Sequence, residues 1–259
     1  MQSTLTFQND QRLAYAQYGD PQGFPILIQH GLIASIEDSS LFDRLLQAGA
    51  RLICIARPGY GASSPYRLNS FAHWADLVGL LIQELQLSQF DVLGMSSGAP
   101  YGYAIGCQFP HQTRHIYVFS GIPALYDEQV LSDWPFEPLR NQIMAELEDL
   151  AGRLFFSDLT AADLQRNDIR DSSMHHGFGV AQDLGLRFGE WGFRLSAVSS
   201  RVFMRHSRGD EAVPYRTAVR TAQLLPHCQL ELLESGPHFS ASALDDFIQE
   251  TVVDKIKPL

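Results

Sequence analysis

The chain has 259 residues, of which 45% are hydrophobic, enough for one large domain or a core with an inserted lobe. A formal net charge of −10 argues against nucleic acid or an anionic membrane as the main partner and suits a substrate that is neutral where it reacts. The opening residues show no basic start followed by an apolar run, and no window approaches the roughly 18 apolar residues of a bilayer span, so neither a secretory leader nor a membrane anchor is expected.

Residues 4–18 alternate apolar and polar around Asn9-Asp10, which predicts a half-exposed hairpin. After a turn at 19–23, Pro25-Ile26-Leu27-Ile28 is a short buried run that leads into His30-Gly31. Residues 37–48 read as an amphipathic helix, and 52–56 as another buried run stopped by Arg57-Pro58-Gly59-Tyr60-Gly61. Asn69 or Ser70 offers a cap for a helix whose Phe71, Trp74, Val78, Leu81 and Leu85 recur with a 3.6-residue period. The run 90–93 then meets Gly94-Met95-Ser96-Ser97-Gly98, and a helix follows to about Phe109 with Pro100 in its first turn. Ala104 and Gly106 let that helix lie close on a sheet, and Ile116-Tyr117-Val118-Phe119 is the next strand. Doubly apolar strands alternating with amphipathic helices predict an α/β fold with a mostly parallel sheet covered on both faces.

From residue 122 to 195 that rhythm stops. Helical stretches near 126–132, 138–155, 160–169 and 178–190 predict an all-helical cap inserted into a core formed by 1–121 and 196–259. Val202-Phe203-Met204 restores the sheet, a helix begins at Pro214, a last strand covers 229–233, and a helix over 241–257 closes the chain.

Gly94 to Gly98 is G-x-S-x-G between a buried strand and a helix. The pentapeptide alone is a weak signal, but its context is specific. A side chain at either glycine would collide with neighbouring backbone, so Ser96 is expected in a strained turn with its hydroxyl held proud of the sheet. A hydroxyl needs a base, and the base needs an orienting acid. His238 lies after the last strand on a Gly-Pro turn, and Asp210 lies after the strand before it. Ser96, Asp210, His238 is the nucleophile–acid–base order of a nucleophile-elbow enzyme. All three loops open at the carboxyl ends of strands. The amides of Ser97 and Leu32 are the candidate oxyanion donors. Glu211 and Asp127 are weaker candidates for the acid, and the D-x-x-V-P spacing favours Asp210.

These residues give the chain a resemblance to an α/β-hydrolase with a helical cap. The likeness rests on QHG (29–31), RPGYGASS (57–64), GMSSGAPYG (94–102), GDEAVP (209–214) and SGPHFS (235–240), and it is reminiscent of the proline-iminopeptidase-like and small-esterase branches. The resemblance implies Ser96 as nucleophile, Asp210 as acid and His238 as base, with Leu32 and Ser97 donating to the oxyanion. It implies a serine hydrolase that works through an acyl-enzyme on a small-molecule ester, with no metal or organic cofactor. Aminopeptidase or amidase work is the alternative, with Glu137, Glu146, Glu148 or Asp149 as clamps for a free amine. A ligand-binding protein that has lost turnover is the alternative from another class. Ser rather than Asp in the turn sets aside the dehalogenase and epoxide-hydrolase chemistry of the same fold. Ala56 replaces the family's usual Asp, Ser207 a common Gly, and Pro237 the Gly that usually precedes the histidine.

Other features read as structure. His30 is expected to pack or hydrogen-bond beneath the site, and His175-His176 to be solvated or pocket-lining, because adjacent helical residues do not share a ligand position. Arg201, Arg205 and Arg208 are expected to be ion-paired. Tyr126, Trp134, Phe155, Phe178, Phe188 and Trp191 are expected mostly in the core of the cap, with one or two lining the cleft. Cys54, Cys107 and Cys228 are odd in number and match no zinc pattern, so they read as reduced thiols of a cytoplasmic protein. Monomer and homodimer both stay open.

Overall fold

The computed structural model describes residues 2–256. Its strands are β1 (Gln2–Thr6), β2 (Arg12–Gly19), β3 (Pro25–Gln29), β4 (Arg51–Ile55), β5 (Phe90–Met95), β6 (Thr113–Phe119), β7 (Arg201–Ser207) and β8 (Cys228–Leu233). They form one eight-stranded sheet in the order β1-β2-β4-β3-β5-β6-β7-β8. The β1–β2 and β2–β4 pairs are antiparallel, and every later pair is parallel. The α/β expectation holds. The hairpin turns through Asn9 and Asp10, both with positive φ, a conformation these two residue types tolerate.

Alternate residues of the central strands feed two apolar layers. Leu27, Ile53 and Val92 face a cluster with Phe71, Trp74, Val78 and Leu81 of helix α2 (Phe71–Glu84). Ile26, Ile28, Leu52 and Leu93 face a second cluster with Leu45 of the short helix α1 (Asp43–Gln47) and with Phe247, Ile248 and Val252 near the C-terminus. Of the two candidate caps for α2 the structure uses Ser70, whose hydroxyl accepts from the His73 amide at 3.2 Å. Helix α3 (Ala99–Gln108) crosses tightly, and a Cβ on Gly106 would stand 2.4 Å from Ile116 Cδ1. Strand β6 starts three residues before its apolar run, and buried Asp91 holds two of the added residues. Asp91 accepts from the His115 amide at 3.1 Å and pairs with Arg114 at 3.3 Å.

Between β6 and β7 the described residues contain helices only: α4 (Glu128–Leu131), α5 (Met144–Ala151) running into a wider turn at Gly152–Phe156, and α6 (Asn167–Leu186). Helix α5 begins at Met144, later than the predicted 138. The stretches expected at 160–169 and 178–190 meet in α6, which is interrupted at Met174–Gly177 by non-helical angles, with positive φ at His175, His176 and Gly177. After β7 come α7 (Tyr215–Gln223), α8 (Ala241–Phe247) and α9 (Val253–Ile256), the last two joined by a wider turn at Ile248–Val252. Lys257, the predicted end of that helix, lies outside the described residues.

Candidate active site

Strand β5 delivers Ser96 into a left-handed turn, with φ of 48°, before α3 begins. The flanking glycines are needed for closeness. A Cβ on Gly98 would sit 2.0 Å from the Gln29 carbonyl oxygen, and one on Gly94 would sit 2.9 Å from the Gly98 oxygen. Ser96 Oγ lies 2.8 Å from His238 Nε2, and His238 Nδ1 lies 2.7 Å from Asp210 Oδ2. With Nδ1–H donating to the carboxylate, Nε2 is free to accept the serine proton.

Asp210 has no side-chain exposure, and its carboxylate is saturated. Oδ1 accepts from the amides of Ala212 (2.9 Å) and Val213 (2.8 Å), and His206 Nε2 stands 3.2 Å from Oδ2. Burial pushes this carboxyl upward, but hydrogen bonds from His206 and His238 outweigh it and hold it well below the usual range. The loops carrying Asp210 and His238 are tied together by Ser207. Its hydroxyl donates to the Gly236 carbonyl at 2.8 Å and accepts from the Gly209 amide at 3.1 Å. One departure from the family pattern is thus a bridge within the site.

The His30–Leu32 loop is anchored by its carbonyls. Arg57 donates to the oxygens of His30 (2.6 Å) and Gly31 (2.8 Å), and the Tyr60 hydroxyl donates to that of Leu32 (2.9 Å). His30 Nδ1 donates to Gly31 O and its Nε2 accepts from the Arg57 amide, so the ring is neutral and its tautomer fixed. Burial first, then the Arg57 charge, push its pKa well below the ordinary value. Arg57 is itself paired at 2.5 Å with Asp183 of α6, both fully buried. Tyr101 donates to that carboxylate at 2.5 Å, and the Tyr60 hydroxyl, 3.0 Å from it, shares its one proton between the carboxylate and Leu32 O.

A cavity of about 1250 Å³ opens beside Ser96 and His238, with Leu32 and Ser97 on its wall. Its far side is formed by the 122–195 segment through Trp134, Phe136, Leu154, Phe155, Arg187 and Phe188. Three of the aromatics expected in the cap core therefore face the cavity, while Trp191 packs inward against Phe71 at 5.0 Å. Of the four candidate amine clamps only Glu137 lines it. Asp127 is spent capping α4, Glu211 is exposed, and His175 and His176 are exposed. Arg205 pairs with Glu231 and Glu250, and Arg208 with Glu234. Among the described residues no cluster of three or more His, Cys, Asp or Glu could hold a metal.

Asp183, Arg187 and His206 went unremarked in the sequence. Asp183 and Arg187 sit inside an ordinary helical stretch. The one available clue was two charged residues four apart on a run with buried Val180, Ala181 and Leu184.

The family model described as the alpha/beta hydrolase fold matches residues 25–242. A relative, the uncharacterized hydrolase YcgS of Bacillus subtilis (strain 168), is 28% identical over 119 residues. That stretch is 46% of this chain, which spans about two fifths (41%) of that protein's length. Among solved structures the chain is similar to an esterase (EaEST) from Exiguobacterium antarcticum, at 17% identity and a TM-score of 0.72 with both chains fully covered. It is also similar to a bromoperoxidase from Bacillus anthracis, at 17% identity and a TM-score of 0.70 over 98% of this chain and 100% of that one. At these identities the structures speak to fold.

Proposed function

The chain belongs to the alpha/beta hydrolase fold family, and on that premise we propose that it is a serine hydrolase of small-molecule carboxylic esters. The observation that carries this reading is the unbroken run of hydrogen bonds from the Ser96 hydroxyl through His238 to buried Asp210. His238 Nε2 takes the Ser96 proton as Oγ attacks the carbonyl carbon. The negative charge on the carbonyl oxygen is met by the Leu32 and Ser97 amides. Asp210 holds the imidazole and offsets its charge. His238 then passes the proton to the departing alcohol, leaving an acyl-Ser96 ester. Water, deprotonated by His238, attacks that ester and releases the acid and free Ser96. The 122–195 segment serves as the cap that shapes the pocket.

The test uses a fluorophosphonate probe and a short p-nitrophenyl ester. The wild type is expected to be labelled on Ser96 and to turn over the ester. Ser96→Ala should lose labelling and at least about 10⁴-fold in kcat while staying folded. An inert serine in the wild type would instead favour a ligand-binding role. One observation favours a second reading: Glu137 on the cavity wall gives aminoacyl amides an ammonium partner. Amino-acyl p-nitroanilides assayed beside the esters separate the two.

A further inference from the structure

The cavity holds a cation with no counter-ion of its own. Arg57 and Arg187 both approach the single carboxylate of Asp183, and Arg57 takes it. Arg57 Nη2 and Nε reach the two oxygens at 2.5 and 3.3 Å, and Tyr60 and Tyr101 fill the remaining positions. Arg187, one turn further along, receives only the main-chain oxygen of Asp183, at 3.3 Å to Nε, and the Ser97 hydroxyl, at 3.2 Å to Nη2. Among the described residues it makes no ion pair with a carboxylate. The acidic groups elsewhere on the cavity wall are committed or solvated: Asp168 pairs with Arg166 at 2.7 Å, and Asp38 and Glu137 are exposed.

Arg187 is only 8% exposed, lines the same cavity as Ser96, and bonds Ser97, the next residue in the chain. Burying an unpaired cation is unfavourable. Burial accordingly lowers its pKa, with Asp183 pulling the other way. The C-terminal end of α6 offsets part of that cost through its carbonyl dipoles. A second donor on the same wall is unmet: the buried indole N–H of Trp134 has no acceptor among the described residues. Elsewhere the wall is apolar at Ile33, Phe119, Leu154, Phe155 and Phe188.

Resting on the hydrolase reading above, we infer that the pocket selects esters bearing a carboxylate near the scissile bond, with the Arg187 guanidinium as its counter-ion. A planar fork matches a carboxylate in two places, and the apolar wall takes the carbon skeleton between the two functional groups. The substrate class is then the half-ester of a short dicarboxylic acid, or an ester of a short hydroxy acid.

Two matched pairs test this. Mono-p-nitrophenyl glutarate against p-nitrophenyl valerate places the charge on the acyl side, and 3-acetoxybenzoate against 3-tolyl acetate places it on the alcohol side. The wild type is expected to favour the charged member of one pair in kcat/KM. Arg187→Met should shrink that preference by about tenfold to a hundredfold, and Arg187→Lys should keep part of it. A wild type that prefers both neutral esters overturns the inference. So does a variant that lowers all four substrates equally, since Arg187 would then only buttress Ser97. Should the variants fail to fold, wild-type inhibition decides: glutarate should compete with the ester far better than glutaramide, and equal potency overturns the inference. Neutral-ester turnover and Ser96 labelling without charge preference would remove the anion site alone. Absence of both would remove the hydrolase reading as well.

Discussion

Asp210 is held ionised by two backbone amides and His238, with His206 Nε2 shared between it (3.2 Å) and the Val213 carbonyl (2.8 Å). Two consequences follow at the scale of that side chain. Replacing it with Asn keeps the shape but offers His238 Nδ1 an amide, which favours the wrong tautomer. Asp210→Asn should therefore cost about 10³–10⁴ in kcat on any ester the wild type hydrolyses, with little change in KM. The second consequence concerns pH. The native carboxyl titrates below its unfolded value, which is about 3.9. Its contribution to stability is therefore complete above that unfolded pKa and is withdrawn as pH falls toward the native one. Urea unfolding between pH 6 and pH 3 should show the wild type losing stability more steeply than Asp210→Asn. Parallel curves would mean that the His206 and His238 contacts do not hold the charge.

The turn between β5 and α3 shows where sequence reading reached and where it stopped. Gly94 and Gly98 announced close backbone approach, and the structure supplies the distances. The alternation of doubly apolar strands and amphipathic helices was legible because each element carries its own period. The strand-end loops bearing Asp210 and His238 were legible because Gly and Pro punctuate them. The Arg57–Asp183 pair was not, because 126 residues separate its members and long-range pairing leaves no local pattern. The break in α6 at Met174–Gly177 falls in the gap left between the stretches expected at 160–169 and 178–190, but its left-handed geometry was not legible. A helical period survives on either side of it, and the two histidines that adopt positive φ carry no local signal for it, while a Cβ on Gly177 would stand 2.9 Å from the Phe156 ring. Gly98→Ala tests the turn directly. Its methyl would push the end of β3 away and drag the His30–Leu32 loop with it, so stability should drop by about 3 kcal/mol or more and ester turnover should collapse. Gly152→Ala is the control, having no atom within 4 Å of its Cβ and an ordinary helical φ of −55°. It should stabilise by about 0.5 kcal/mol, read from the urea midpoint of each variant.

Across the whole molecule the 122–195 segment is bound to the sheet layers by more than a hinge. Trp191, Phe188 and Val130 share one apolar cluster with Phe71, Trp74 and Tyr101, and Leu147, Val180 and Leu184 share the other with Leu93 and Met95. Polar ties run beside them, from the Gln182 side chain to the Leu68 amide at 2.7 Å and from the Gly61 amide to Asp171 O at 2.9 Å. The Arg57–Asp183 pair sits among them at full burial, where losing one partner costs more than forming the pair gained. Asp183→Asn leaves two buried guanidiniums facing no carboxylate and should lower stability by about 3–5 kcal/mol. An autonomous lid would melt alone in that variant, leaving the sheet folded. Shared clusters predict the opposite, because the segment cannot leave without exposing Phe71 and Leu93. Tryptophan fluorescence samples both sides, through Trp74 on α2 and Trp134 and Trp191 in the segment, and far-ultraviolet circular dichroism follows the helices. In urea the two signals of Asp183→Asn should fall in one coincident transition, shifted to lower denaturant, and separated midpoints would show that segment and sheet fold apart.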